Sequence, residues 1–278
     1  MNIFEETNPY IVKKGDSSLP IFDITSNDNI SLFIPSNSNI KKITLNIKGS
    51  GQVSILETCE NNVIDYEINI FENAKVHHSI AFFKDNNEAK YAVNMEKNPE
   101  YQGALADFSK GNNTLDFVCN LNGEYAKSNW NLACLACEND VKKMSVSFFH
   151  NAKHTYAKME NYGVCEDEGS IEFLGTSSIN KGAKSSATHQ NAKIMVFDPK
   201  CKAKANPVLC IDENDVEASH AAVVGQINED HIFYLTSRGI EEETAKKLIT
   251  LGYLNPILRF FNDESVLERM SENIDGRF

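Results

Sequence analysis

The feature that most constrains this chain is a two-residue alternation of apolar and polar side chains that starts near Ser31 and persists almost to Gly225. It runs through Ile43, Leu45 and Ile47, through Val53 and Ile55, and through Ile64, Tyr66, Ile68 and Ile70. It returns at Leu115 and Phe117, at Trp130, Leu132 and Cys134, at Met144, Val146 and Phe148, and at Ile171 and Phe173. Successive side chains of a strand point to opposite faces, so each run predicts a strand with one buried face. Between the runs lie compact polar turns: Glu72-Asn73-Ala74-Lys75, Asn122-Gly123-Glu124, His150-Asn151-Ala152-Lys153 and Asn180-Lys181-Gly182-Ala183. They recur every few strands without a strict repeat, which excludes a hexapeptide-type β-helix. Two architectures remain open on periodicity: a looser solenoid whose rungs stack their apolar faces, and an antiparallel sandwich.

The flanks differ. Residues 1–30 are polar, carry Pro9, Pro20 and the Ser17-Ser18 pair, and read as an arm. Residues 31–224 form the β body, and residues 225–278 switch to a helical pattern. Asn228 is a good N-cap for a first helix, with Glu229 and Asp230 where the helix dipole favours negative charge, and Gly239 suits a left-handed C′ position. A second helix opens at Glu241–Glu243 and runs through Ala245, Leu248 and Ile249, with Gly252 and Pro256 set to weaken or kink it. A third is expected from Glu264 to Asn273.

The 278 residues carry a formal net charge of -12, which argues against a nucleic-acid backbone or an anionic membrane surface as partner. Lys200, Lys202 and Lys204 are read as a solvated, Pro-containing loop. The first residues, Met1 to Glu6, have neither a basic nor an apolar leader region, and no apolar run reaches bilayer length. The expected location is therefore the cytoplasm, where seven cysteines at irregular spacing are thiols by default.

Several constellations could carry chemistry. Cys134 and Cys137 have half of a zinc spacing, but residues three apart on a strand face opposite ways, which favours packing over metal. His150 and His154 lack the Glu of a His-Glu-x-x-His helix and read as ordinary polar turn residues. His77-His78 reads as a strand position with one ring outward. Around Gly182, Ala183 and Lys184 the order of residues does not match a phosphate-cradling loop, so no nucleotide is expected on this chain. No nucleophile elbow or Ca²⁺ loop is present. An autonomous active site is not visible.

The stretch from Cys210 to Ile227 reads Cys-Ile-Asp-Glu-Asn-Asp-Val-Glu-Ala-Ser-His-Ala-Ala-Val-Val-Gly-Gln-Ile. It resembles the hallmark of SufB/SufD proteins, E-I-x-A-D-D-V-x-C-S-H-G-A-T-V-G-x-I/L. It continues from Asp230 to Ile240 into a segment similar to the family's D-E-x-x-F-Y-L-x-S-R-G-I, and the helix with Ala245, Leu248 and Ile249 follows. The resemblance is strongest from Ile171 to Leu258, is moderate around His150 to Tyr156, and before residue 100 rests on strand texture. It is closer to the SufD type.

The resemblance implies a right-handed parallel β-helix with a small α-helical C-terminal domain. It implies a non-catalytic scaffold or partner subunit of the SUF iron–sulfur cluster assembly machinery. Such a subunit pairs through its β-helix with a SufB-type paralogue or a second copy of itself, and docks a SufC-type ATPase through its tail. A cysteine desulfurase system is a further candidate partner, and a transient iron–sulfur cluster is the cargo. The docking residues expected on this basis are Phe233, Tyr234, Arg238, Gly239, Ile240, Leu248 and Ile249. At the cluster site the chain departs from the family: Ala218 stands where the D-type has Cys, and Ala192 and Ala221 stand where the B-type has Cys and Glu. His220 remains there, with Cys201 as a candidate neighbour for metal. The alternatives are a degenerate adaptor for the ATPase, whose cluster site has decayed, and a β-helix carbohydrate-active enzyme, which needs clustered carboxylates in a groove.

Overall fold

The computed structural model describes residues 8–11, 21–25, 29–34, 41–50, 52–59 and 63–278. The remaining positions of the expected arm, 1–7, 12–20 and 26–28, lie outside the described residues. The strands alternate between two sheets, odd-numbered in one and even-numbered in the other, and every pairing is parallel. The nine-stranded sheet contains β1 (Asn8–Ile11), β3 (Asn29–Ile34), β5 (Gln52–Cys59), β7 (Lys75–Phe82), β9 (Glu100–Asp107), β11 (Lys127–Ala136), β13 (Tyr156–Cys165), β15 (Ser186–Val196) and β17 (Val216–Gln226). The eight-stranded sheet contains β2 (Ile21–Thr25), β4 (Lys42–Lys48), β6 (Val63–Ile70), β8 (Glu88–Met95), β10 (Asn112–Leu121), β12 (Val141–His150), β14 (Ser170–Ile179) and β16 (Lys202–Ile211). This is a parallel β-solenoid, two strands to the turn, and not a sandwich of antiparallel sheets.

The alternation dictates this architecture because each inward side chain lands on its counterpart in the next rung. Tyr91, Phe117 and Val146 are in register across β8, β10 and β12, and all are buried. Phe117 also stacks on Trp130 of the opposite sheet with ring centroids 4.0 Å apart, and Tyr66 stacks on Tyr91 at 4.7 Å. Each such side chain contributes about 1.5–3 kcal/mol by leaving water. The recurring turns stack as well. Asn180 donates to Asn151 (2.6 Å) and Asn151 to Asn122 (2.7 Å), while a second ladder links Asn120, Asn94, Asn69 and Asn46 at 3.0 Å per step. Asn73, Asn98, Tyr125 and His154 hold the left-handed conformation at successive turns of one edge. The repeat is therefore one of geometry, with only asparagine and turn chemistry common to the rungs.

Alternation breaks down near the ends of β7, β9, β11 and β13, where consecutive residues are buried. There the outer face of the nine-stranded sheet is covered by the helical tail. Ala81, Ala104, Ala106, Ala133, Leu135, Cys137 and Val164 form a second core with Leu254, Ile257, Phe261, Val266, Met270 and Ile274. The alanines let the helices approach closely. The tail comprises α1 (Glu229–Thr236), α2 (Glu242–Leu254), a 3₁₀ turn (Asn255–Phe260) and α3 (Glu264–Asp275). Asn228 caps α1 by accepting from Asp230 N–H, and Gly239 takes φ +87° where the chain leaves the helix. α2 passes through Gly252 without breaking, and Pro256 falls in the first turn of the 3₁₀ segment, where its missing N–H costs nothing. The tail is tied down by Arg277 paired with Asp140, by Lys246 at 3.6 Å from Glu166, and by Ser79 donating to the Phe260 carbonyl.

Two sequence expectations are corrected. Lys202 and Lys204 belong to the outward row of strand β16, not to a loop. Pro207 fits that strand because β16 is the edge of its sheet and needs no N–H on the free side. His150 is the buried last residue of β12 and not a polar turn residue: its Nδ1 lies 2.8 Å from Thr155 Oγ1, its Nε2 has no partner among the described residues, and burial pushes its pKa down to about 4. His154 does sit in a turn, stacked on Tyr125.

Candidate functional site

Among the described residues, the last rung, β16 and β17, has no rung above it. Residues that would face the interior are therefore open: β17 is exposed along nearly its whole length, and its outer edge carries unpaired backbone groups. Of the inward row, Val224 and Ile211 are exposed; on the outward row Val223 is 53% exposed and Val208 is exposed as well. The register places His220 above Gln190, which lies above Met159, so His220 belongs to the inward row with Ala218, Ala222 and Val224. Beneath it the interior turns from aromatic to polar. Gln190 donates to Ser177 Oγ (2.8 Å) and to the Val208 carbonyl (3.0 Å), and Thr188 donates to Ser177 (2.9 Å), while Gln190 Oε1 is buried without a partner. The open end thus has a polar floor, a small-residue wall and one imidazole at its rim.

The sequence-derived site residues fall in different places. Ala192 packs half-buried against the core, Ala218 faces inward and Ala221 outward. Cys201 immediately precedes β16, half-buried, with its thiol donating to the Asp167 carbonyl. Its turn lies beside Ile227, whose N–H donates to the Val196 carbonyl. His220 is six residues of strand back from Gln226, about 20 Å at the usual rise of about 3.3 Å per residue. Within one chain, Cys201 and His220 are not brought together. Among the described residues no group of three or more His, Cys, Asp or Glu is placed to hold a metal ion. Cys134 and Cys137 belong to different cores on opposite sides of the sheet, and burial raises both thiols. Of the His77-His78 pair, His78 is buried between Glu57 (3.2 Å) and Tyr101 (3.1 Å), and His77 faces out.

Sequence reasoning missed the outer side of the same edge. His189 Nδ1 lies 2.8 Å from Ser219 Oγ and its Nε2 lies 3.8 Å from Glu217. Only the β15–β17 register joins these residues, and nothing in the linear spacing does.

On the tail, α1 buries no residue. Phe233 is 73% exposed, Tyr234 54% and Leu248 of α2 47%. Arg238 lies over the Tyr234 ring at 4.4 Å, while Ile240 and Ile249 are half-buried. Two large aromatic rings are thus exposed to water on one helix.

The fold is a parallel β-solenoid with an exposed last rung and an exposed aromatic helix beside it. The chain belongs to the SUF system FeS cluster assembly, SufBD core domain family, whose model matches residues 31–253. It is similar to the iron–sulfur cluster assembly protein SufD of Bacillus subtilis, with 27% identity over 181 residues, 65% of this chain and 41% of that protein. It is also similar to iron–sulfur cluster assembly SufBD family proteins of Mycobacterium tuberculosis (28% over 148 residues, 53% of this chain and 18% of that one) and Staphylococcus epidermidis (24% over 150 residues, 54% and 32%). The matched region spans less than half the length of these relatives. Among the described residues no helix is long and apolar enough to cross a membrane.

Proposed function

We propose that this chain is a non-catalytic scaffold or partner subunit in cytoplasmic iron–sulfur cluster assembly. Its open end pairs with a SufB-type paralogue or a second copy of itself, and α1 and α2 dock a SufC-type ATPase, which alone handles nucleotide. The observation that supports this best is the uncapped rung: exposed valines and an unpaired strand edge are costly unless another subunit covers them. The nascent cluster would sit in that junction. His220 offers an imidazole for iron, and thiolates come from the partner, because positions 192 and 218 carry only methyl groups here. A cysteine desulfurase system would deliver the sulfur.

Those alanines also favour a second reading, in which the chain is an adaptor that positions the ATPase while its partner alone holds the cluster. Both readings require the tail to bind the ATPase. Leu248→Asp with Ile249→Asp should abolish co-purification of the co-expressed SufC-type ATPase while the circular dichroism of the solenoid is unchanged. Undiminished recovery of the ATPase would overturn the docking assignment.

A further inference from the structure

Cys165 and Cys201 are far apart in sequence but meet at one turn of the solenoid. Cys165 ends β13 with its side chain in the core, in register with Ala136 below and Val196 above. Its carbonyl accepts from Phe197 N–H (2.9 Å), so the turn that leads to Cys201 springs directly from Cys165. That turn closes when Cys201 N–H donates to the Asp198 carbonyl (3.1 Å), which brings the Cys201 side chain back onto the core. The Cys201 thiol donates to the carbonyl of Asp167 (3.6 Å), two residues on from Cys165, and its side chain packs against the core that holds the Cys165 thiol. Cys201 is half-buried and reachable from solvent, and Cys165 lies behind it. The arrangement is that of a solvent-reachable thiol packed on the core that buries a second thiol.

We infer that Cys165 and Cys201 form a dithiol that closes reversibly to a disulfide when the protein meets a small-molecule disulfide such as oxidised glutathione. The Cys201 thiolate attacks one glutathione sulfur, breaks that S–S bond and releases one glutathione thiolate. Cys165 then loses its proton to solvent and attacks the Cys201 sulfur, displacing the second glutathione. Two protein thiols are oxidised and one glutathione disulfide is reduced to two thiols. Burial raises both thiols, and the Asp198 and Phe197 backbone and the Cys165 thiol partly offset this at Cys201, which makes it the attacking group. The closed bond would pin the start of β16, and with it the open rung, to the end of β13.

The test incubates the full chain in glutathione buffers from reducing to oxidising, quenches with N-ethylmaleimide, and maps peptides by mass. Exposed Cys210 reports that the oxidant is active. The expected result is a Cys165–Cys201 cross-linked peptide that dithiothreitol reverses. Cys201→Ser should abolish it, Cys210→Ser should retain it, and Cys165→Ala should leave a lasting glutathione adduct on Cys201. Two results would overturn the inference: wild type accumulating that adduct to the same level as Cys165→Ala, or both thiols alkylating fully while Cys210 is glutathionylated.

Discussion

Asp107 and Lys142 form an ion pair 3.1 Å apart in the solenoid, both side chains fully removed from water. Asp107 also accepts from Asn113 Nδ2 (3.0 Å to each oxygen) and from Ser109 Oγ (2.7 Å), whereas among the described residues Lys142 has one other acceptor, the Ser109 carbonyl at 2.6 Å. The two halves should therefore not be equivalent. Lys142→Met leaves a carboxylate that still has neutral donors, so its cost should fall near the lower end of the range for breaking a buried pair, about 3 kcal/mol. Asp107→Asn leaves an ammonium with little to compensate it, and its cost should approach about 5 kcal/mol. In the double variant neither charge is buried, so it should be more stable than the sum of the singles by at least about 2 kcal/mol. Trp130, the only tryptophan, is buried and stacked on Phe117, on the strand β11 that pairs with Asp107's β9 and precedes Lys142's β12, so its fluorescence in urea reports the right region. Single variants costing less than about 1 kcal/mol, or a double variant that is simply additive, would mean that the interior is wet and the reasoning wrong.

Gly123 is the turn glycine most closely approached by backbone: a Cβ there would meet the Glu96 carbonyl oxygen at 2.1 Å. Gly123→Ala should cost upwards of about 2 kcal/mol, read as a lower urea midpoint, and an unchanged midpoint would refute this close stacking of rungs. Burial holds Glu166 at about 7, above its ordinary 4.5, so its contribution to stability falls as pH rises from 4.5 to 7; His150, held at about 4 instead of 6.5, contributes stability that is lost as pH falls through 6.5 to 4. Glu166→Gln should unmask acid lability, His150→Gln should unmask a decline towards neutral pH, and identical pH profiles for all three proteins would contradict both assignments. His220→Ala should lower the cluster absorbance reconstituted anaerobically per complex without reducing ATPase binding, and equal absorbance would make the imidazole structural only.

Much of the fold was legible because a parallel solenoid writes its inward face into the sequence one residue in two. Tyr66, Phe117, Phe148 and Phe173 all read correctly as core. Where both faces are buried, the pattern loses its period: Ala133, Cys134, Leu135, Ala136 and Cys137 are all buried, and only the docked helices explain why. The lysines of β16 were hidden for the opposite reason, since an edge strand with Pro207 and alanines lacks the usual bulky inward residues. Resemblance picked out His220 and the tail, but register alone shows that His220 faces the open interior. Register also joins His189 to Ser219 and sets Cys201 beside Cys165, which pairwise spacing in the chain cannot express.

The central claim, that the last rung is a pairing surface, is tested most directly by native mass spectrometry of the chain alone and mixed with a SufB-type protein. The same measurement is made on Val223→Asp with Val224→Asp, which places two charges on the exposed end of β17. The account predicts a dimer or a one-to-one complex for wild type, and a monomer with unchanged circular dichroism for the variant. A wild-type chain that stays monomeric with and without the SufB-type protein, or a variant that pairs as well as wild type, would contradict it.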